Sequence, residues 1–171
     1  MRTKKNKSFI RKTAGAILSL LGFLLVLTPL VASLGLLIPR LFGIQMFSVS
    51  TGSMEPIIPT GSLIFVRTTD FDEIREGDVI SFYMKMHSDV VVTHRVTKVD
   101  PIRKELTTKG DANQTEDINK VRPGQVIGVI VFSLPYAGIM VRQFSTLAGV
   151  LFLFMAFLSG TLLVILGKRM L

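Results

Sequence analysis

Two long stretches without a single charge, residues 14–38 and 146–166, constrain this chain more than any other feature. A bilayer-spanning helix needs about 20 apolar residues, and both stretches reach that length. The fold is thereby confined to two helices and the roughly 100 residues between them, enough for one small domain. The reading in chain order is a basic tail over 1–13, a first transmembrane helix over 14–38, an extracytoplasmic domain over 39–145, a second helix over 146–167 and a short tail over 168–171. Thr28-Pro29 should kink the first helix and Pro39-Arg40 should close it. A removable leader is the rival reading, with Val31-Ala32-Ser33 as its cut. An apolar region this long argues against it, since such leaders carry 7–15 apolar residues.

Charge sets the expected orientation. Of 20 Lys and Arg, eight lie outside the apolar segments (Arg2, Lys4, Lys5, Lys7, Arg11, Lys12, Lys168 and Arg169), and the other twelve face twelve Asp and Glu in between. The net +8 therefore belongs to the tails. Positive flanks place both termini in the cytoplasm and the middle domain across the membrane. A charge-balanced domain offers no phosphate-binding face, which excludes nucleic acid as a partner. There is no cysteine, hence no disulfide, thiolate metal site or cysteine nucleophile.

The middle domain reads as β-rich. Ile44–Val49, Ser62–Thr68, Asp78–Lys85, Val90–Val99, Lys104–Lys109 and Val126–Phe132 are short runs heavy in Val, Ile, Phe and Thr, separated by turn residues such as Pro59-Thr60-Gly61 and Pro123-Gly124. A small, mostly antiparallel domain follows. Pro135–Gln143, with Tyr136, Ile139, Met140 and Val141, reads as an apolar shoulder at the membrane surface.

Within that domain, Ser50-Thr51-Gly52-Ser53-Met54-Glu55-Pro56 sits where the first strand breaks into a turn. Gly52 lets the backbone take a conformation a β-carbon would resist and Pro56 fixes φ just downstream, and a hydroxyl held at such a corner among backbone N–H groups suits acyl transfer. The bland alternative is a polar turn after a strand. A serine nucleophile needs a base, and only two histidines exist. His94, in the alternating strand Val91–Val96, is held more firmly than His87, which lies in an apparent hairpin loop. An imidazole titrating near pH 6.5 accepts a proton at neutral pH, although most lone strand histidines are structural. A carboxylate would fix the tautomer of that base, and either Asp111 or Asp117 in Lys109–Asp117 could supply it. Asp111, after Gly110, is expected to spend its carboxylate on loop N–H groups, leaving Asp117 freer to reach His94. Glu116, directly before Asp117, should point away. Asn113-Gln114-Thr115 is a formal glycosylation sequon whose glycan would crowd the site.

Ser53-Met54-Glu55-Pro56, Arg75–Ile80, Thr93-His94-Arg95-Val96 and Lys109–Asn113 with Asp117 resemble, in this order, the boxes of type I signal peptidases. Histidine at position 94, where the usual bacterial branch carries lysine, resembles the endoplasmic-reticulum-type branch of eukaryotes, archaea and some Gram-positive bacteria. The second apolar helix resembles the bacterial and archaeal forms. The resemblance implies a mainly β catalytic domain of coiled antiparallel sheets on the outer membrane face, flanked by transmembrane helices. It implies a Ser-His-Asp endopeptidase that removes signal peptides after a small residue, with no metal or cofactor. Thr51 would assist the Ser53 N–H in an oxyanion hole, and the triad acid would be Asp117, with Asp111 as a second site carboxylate. Its partners would be signal peptides of secreted preproteins and the bilayer, with the secretion translocon a further candidate. The extended substrate is expected to add as a strand along Met46–Thr51 and Ile80–Met84, touching Met46, Ser48, Ser50, Ile80 and Phe82. Two rivals remain: a self-cleaving repressor-type serine protease, which the apolar N-terminal segment disfavours, and an inactive homologue or scaffold that binds signal peptides without cutting them.

Overall fold

The computed structural model describes residues 2–86 and 88–171, in two compact units, 1–38 with 144–171 and 39–143. The first unit is built from α1 (Arg2–Leu41) and α3 (Leu147–Met170). Both contain segments long and apolar enough to cross a bilayer, Phe9–Leu41 and Leu147–Met170. The hydroxyls of Thr28, Ser33 and Thr161 donate to the carbonyls of Leu24, Pro29 and Phe157 in their own helices. Polar groups in apolar surroundings are satisfied this way. The helices run antiparallel through facing glycines: a Cβ on Gly22 would sit 2.5 Å from the Gly160 carbonyl, and one on Gly15 2.7 Å from that of Gly167. α1 passes Pro39-Arg40 and ends at Leu41, later than the sequence suggested, where Phe42 and Gly43 donate back to the Pro39 and Arg40 carbonyls.

The second unit is one six-stranded antiparallel sheet. Its strands are β1 (Ile44–Ser48), β2 (Leu63–Thr68), β3 (Val79–Tyr83), β4 (Val91–Asp100), β5 (Glu105–Lys109) and β6 (Val126–Leu134), in the spatial order β1-β2-β6-β3-β4-β5. The β-branched runs therefore form the expected strands, within a few residues at each end. β6 inserts between β2 and β3 and pairs with both. It does so through Gly128, whose backbone lies at φ +157 and where a Cβ would run into the Arg67 carbonyl. Two apolar clusters form the core: Met54, Ile58, Ile64, Val66 and Ile127 in one, Phe71, Ile74, Ile80, Phe82, Val96, Leu106 and Val121 in the other. The segment expected to lie as a shoulder contains a short helix, α2 (Ala137–Phe144).

One expectation is overturned by this topology. Ile80–Met84 is no edge: residues 79–83 pair with β4, and Ile80 and Phe82 also pair with β6. Ile80 is fully buried in the core and has no surface to offer a substrate.

Candidate active site

The Ser53 corner is held by its neighbours. Val49 N–H donates to the Ser62 carbonyl and Gly61 N–H to that of Val49, closing the loop from 49 to 62. Met54, 1% exposed, drives its side chain into the core next to Ser53. Glu55 N–H and Ile58 N–H donate to the Gly52 and Met54 carbonyls, and Glu55 Oε1 accepts from both the N–H and the hydroxyl of Thr60. Those bonds, the hydroxyl's first, hold the Glu55 carboxyl below its ordinary pKa. Packing and hydrogen bonds together keep a serine at a turn from wandering.

β4 carries the imidazole. His94 is buried between β3 and the 112–119 loop, opposite Ile80 and edge-on to the Phe82 ring. Its Nδ1 lies 2.6 Å from Oδ2 of Asp117. A carboxylate only accepts hydrogen bonds, so Nδ1 carries the proton and Nε2 is left with a lone pair. Ser53 and His94 border one cavity of about 630 Å³, together with Ser48, Ser50, Thr51 and Asn113. The Thr51 hydroxyl is 3.5 Å from that of Ser53, a long contact.

Asp111 has another partner than expected. Its two carboxylate oxygens receive Nε and NH2 of Arg95 at 2.8 and 2.7 Å, rather than loop N–H groups. Successive strand residues face opposite ways, so Arg95 reaches Asp111 from the side of β4 away from His94. Arg95 also donates to the Gly77 carbonyl, and its bond to Asp111 raises its pKa further. The loop held by this pair returns to the nucleophile, for Ala112 N–H donates to the Ser53 carbonyl at 2.9 Å. Glu116 Oε1 accepts from the Thr97 hydroxyl.

Of the residues expected to meet substrate, Ser48 and Ser50 border the Ser53 cavity. Phe82 borders a second cavity of about 700 Å³ on the other side of His94, walled by residues 112–119. Met46 lines neither; it is half-buried in β1, opposite Phe65 of β2. Across the Ser53 cavity the wall is Val90–Thr93, the start of β4. Arg95 and Thr108 were not singled out from sequence, and Asn113 only as part of a glycosylation sequon. The charge directly beside His94 in an alternating strand was a usable sign for Arg95. His87 lies outside the described residues, and among these no cluster of His, Asp and Glu could hold a metal ion.

A serine and a carboxylate-bound imidazole thus share one cleft on an antiparallel sheet, in a chain that also carries two long apolar helices. Residues 20–103 match the family model described as signal peptidase, peptidase S26. Signal peptidase I W of Bacillus subtilis is 43% identical over 82 residues, 46% of this chain and 42% of that protein. The signal peptidase complex catalytic subunit SEC11C of Homo sapiens is 34% identical over 102 residues, 54% and 53% of the two chains. The SEC11 subunit of Fusarium vanettenii is 32% identical over 100 residues, 53% and 58% of the two chains. The chain spans about half the length of the curated relatives it matches. Over these residues the chain is similar to the type I signal peptidases.

Proposed function

We propose that this protein is a membrane-anchored serine endopeptidase that removes signal peptides from secreted preproteins, cutting after a small residue. The observation that carries the reading is the 2.6 Å bond from His94 Nδ1 to Asp117 together with the shared cleft of His94 and Ser53. Ser53 Oγ attacks the scissile carbonyl while Nε2 of His94 takes its proton and later gives it to the leaving amine. Asp117 fixes the ring and stabilises the imidazolium. The Ser53 N–H and the Thr51 hydroxyl receive the oxyanion. No step requires a metal or cofactor.

Substrate enters as an extended strand. Val49 turns its N–H and C=O toward residues 61–62, so Ser48 and Ser50 turn theirs the other way, toward the cleft. Facing them, Val91–Thr93 pair with β3 on one side and, among the described residues, with no strand on the other. The receiving edges are therefore residues 48–51 and 91–93, with β4 replacing β3 in the earlier expectation. Apolar Phe47, Val49 and Val92 line the same cleft and suit small side chains.

The helices belong to the mechanism. A signal peptide is itself a membrane-inserted apolar helix, and an anchored protease meets it in two dimensions with the scissile bond near the surface. In this reading both termini are cytoplasmic, the spans are 14–38 and 146–167, and the coiled-sheet domain of 39–145 faces the outer side. The translocon is a neighbour along the same path.

The test mixes detergent-solubilised protein with a preprotein and looks for the shortened product. Ser53→Ala and His94→Ala should abolish it, whereas Ser50→Ala and His87→Ala should cut nearly as well as the wild type. An active Ser53→Ala variant would sink the reading. Separately, protease added to sealed right-side-out vesicles should reach Lys85 or Arg103 and spare the tails; digestion of the tails would invert the topology.

A further inference from the structure

We propose that Thr108 is a positioning residue of this site, acting on His94 through Asp117; the proposal rests on the endopeptidase reading above. Thr108 lies in β5, opposite Val96 of β4, and is fully buried. Its hydroxyl donates to Asp117 Oδ2 at 2.6 Å, the same oxygen that receives His94 Nδ1 at 2.6 Å. Its carbonyl accepts the backbone N–H of Asp117 at 2.8 Å. One strand residue therefore grips both ends of Asp117.

The need for that grip follows from where Asp117 sits. Its neighbours Glu116 and Ile118 are exposed, Ile118 at 96%, and the loop lies outside the strands. A carboxylate on such a segment has other rotamers open to it, and those would turn its oxygen away from the imidazole. Orientation of a base requires its partner to be fixed within about half an ångström. The rigid element supplying this is β5, whose Leu106 also exchanges two backbone bonds with Val121 beyond the loop. The loop is thereby pinned to the same strand on both sides of Ile118. The Thr108 hydroxyl and His94 Nδ1 thus meet on one oxygen, so the Thr108 bond fixes where that oxygen stands relative to the ring.

The alternative is that Thr108 is an ordinary strand residue whose buried hydroxyl has merely found an acceptor. Turnover separates the two. In the full chain in detergent, cutting a peptide with an apolar helix followed by Ala-X-Ala, Thr108→Val should lower kcat about ten- to a hundredfold, the weight of one hydrogen bond to a charged group. KM should stay within about twofold, because no substrate contact is lost. Thr108→Ser should recover most of the turnover, and Thr108→Ala should behave like Thr108→Val. In an Asp117→Asn background, Thr108→Val should cost almost nothing further, since the residue it acts through is already disabled. A full multiplicative loss in that background, a Thr108→Ser variant as slow as Thr108→Val, or unchanged kcat with a lowered melting temperature would each overturn the proposal. A wild-type protein that fails to cut the peptide removes the endopeptidase reading and this proposal together; one that cuts while Thr108→Val cuts equally well removes this proposal alone.

Discussion

Asp111 and Asp117 lie in one loop, and the protein uses them in opposite ways. Asp111 faces a guanidinium that holds both of its oxygens and donates to the Gly77 carbonyl as well. Asp117 offers one oxygen to an imidazole nitrogen and to a hydroxyl. The first arrangement is a bidentate, charge-assisted clamp that fixes backbone. The second holds a ring in one orientation, as the proposed role of His94 requires. What separates them is the alternation of β4: His94 and Arg95 are adjacent in sequence and face opposite sides of the strand, so each draws a different aspartate from the same loop.

The largest effect expected from breaking this division is at Asp117. Asp117→Asn should lower turnover by on the order of 10³–10⁴ while the melting temperature changes little, because the amide offers Nδ1 the wrong tautomer without emptying the site. Purified-variant kinetics on a signal peptide beside a melting curve decides the matter. A fully active Asp117→Asn with a folded, inactive Asp111→Asn would reverse the roles.

Asp111 comes next. Removing it leaves Arg95, whose side chain is 32% exposed, without its clamp, and frees the segment whose Ala112 N–H holds the Ser53 carbonyl. Asp111→Ala should destabilise the sheet domain by about 1–3 kcal/mol, visible in denaturant or thermal unfolding. Activity should fall with the loosened corner and recover partly at low temperature. Arg95→Lys should not restore the wild-type behaviour, because a point charge cannot match the fork. A melting temperature unmoved by Asp111→Ala would show that the clamp does not hold the fold.

Much of this contrast was legible in the sequence, and the illegible part has a physical cause. The six β-branched runs became the six strands, because alternation and turn residues act locally. The Asp117–His94 contact agreed with an argument about loop freedom, that an aspartate beyond the Gly110 turn can reach across. The partner of Asp111 was missed because a Gly-Asp turn suggests local N–H acceptors, and nothing local competes with a guanidinium arriving from another strand. β3 was misread as an edge for the same reason: its second neighbour, β6, comes from more than forty residues away. Thr108 was invisible, since threonine in a strand is ordinary until its hydroxyl is seen to face a carboxylate.

A smaller effect is expected at Glu116, which borders Asp117 and bonds the Thr97 hydroxyl at the exposed surface of β4. Glu116→Gln keeps an oxygen for Thr97 and should leave turnover within about twofold, as an exposed side-chain bond contributes little. A hundredfold loss would mean that the loop is held from this side rather than from Thr108.

The smallest effect sharpens the comparison with a third carboxylate, Glu55, which braces the Ser53 corner while fully exposed. Its Oε1 accepts from the Thr60 hydroxyl at 2.8 Å and the Thr60 N–H at 3.2 Å, and the hydroxyl bond is the main reason its pKa lies below the ordinary 4.5. A carboxyl whose folded pKa is depressed contributes stability above its unfolded pKa and loses it as pH falls through the folded one. Glu55→Gln should therefore melt slightly lower than wild type at pH 7, and the gap should close as acid protonates Glu55. Solvent screens the bond, so the gap should be smaller than that of Asp111→Ala, and turnover at pH 7 should change by less than about twofold. Melting temperatures of the two proteins across pH 3–7 test this. A gap that widens toward acid would contradict the sign, and a gap at pH 7 as large as that of Asp111→Ala would mean that exposure does not separate the brace from the clamp.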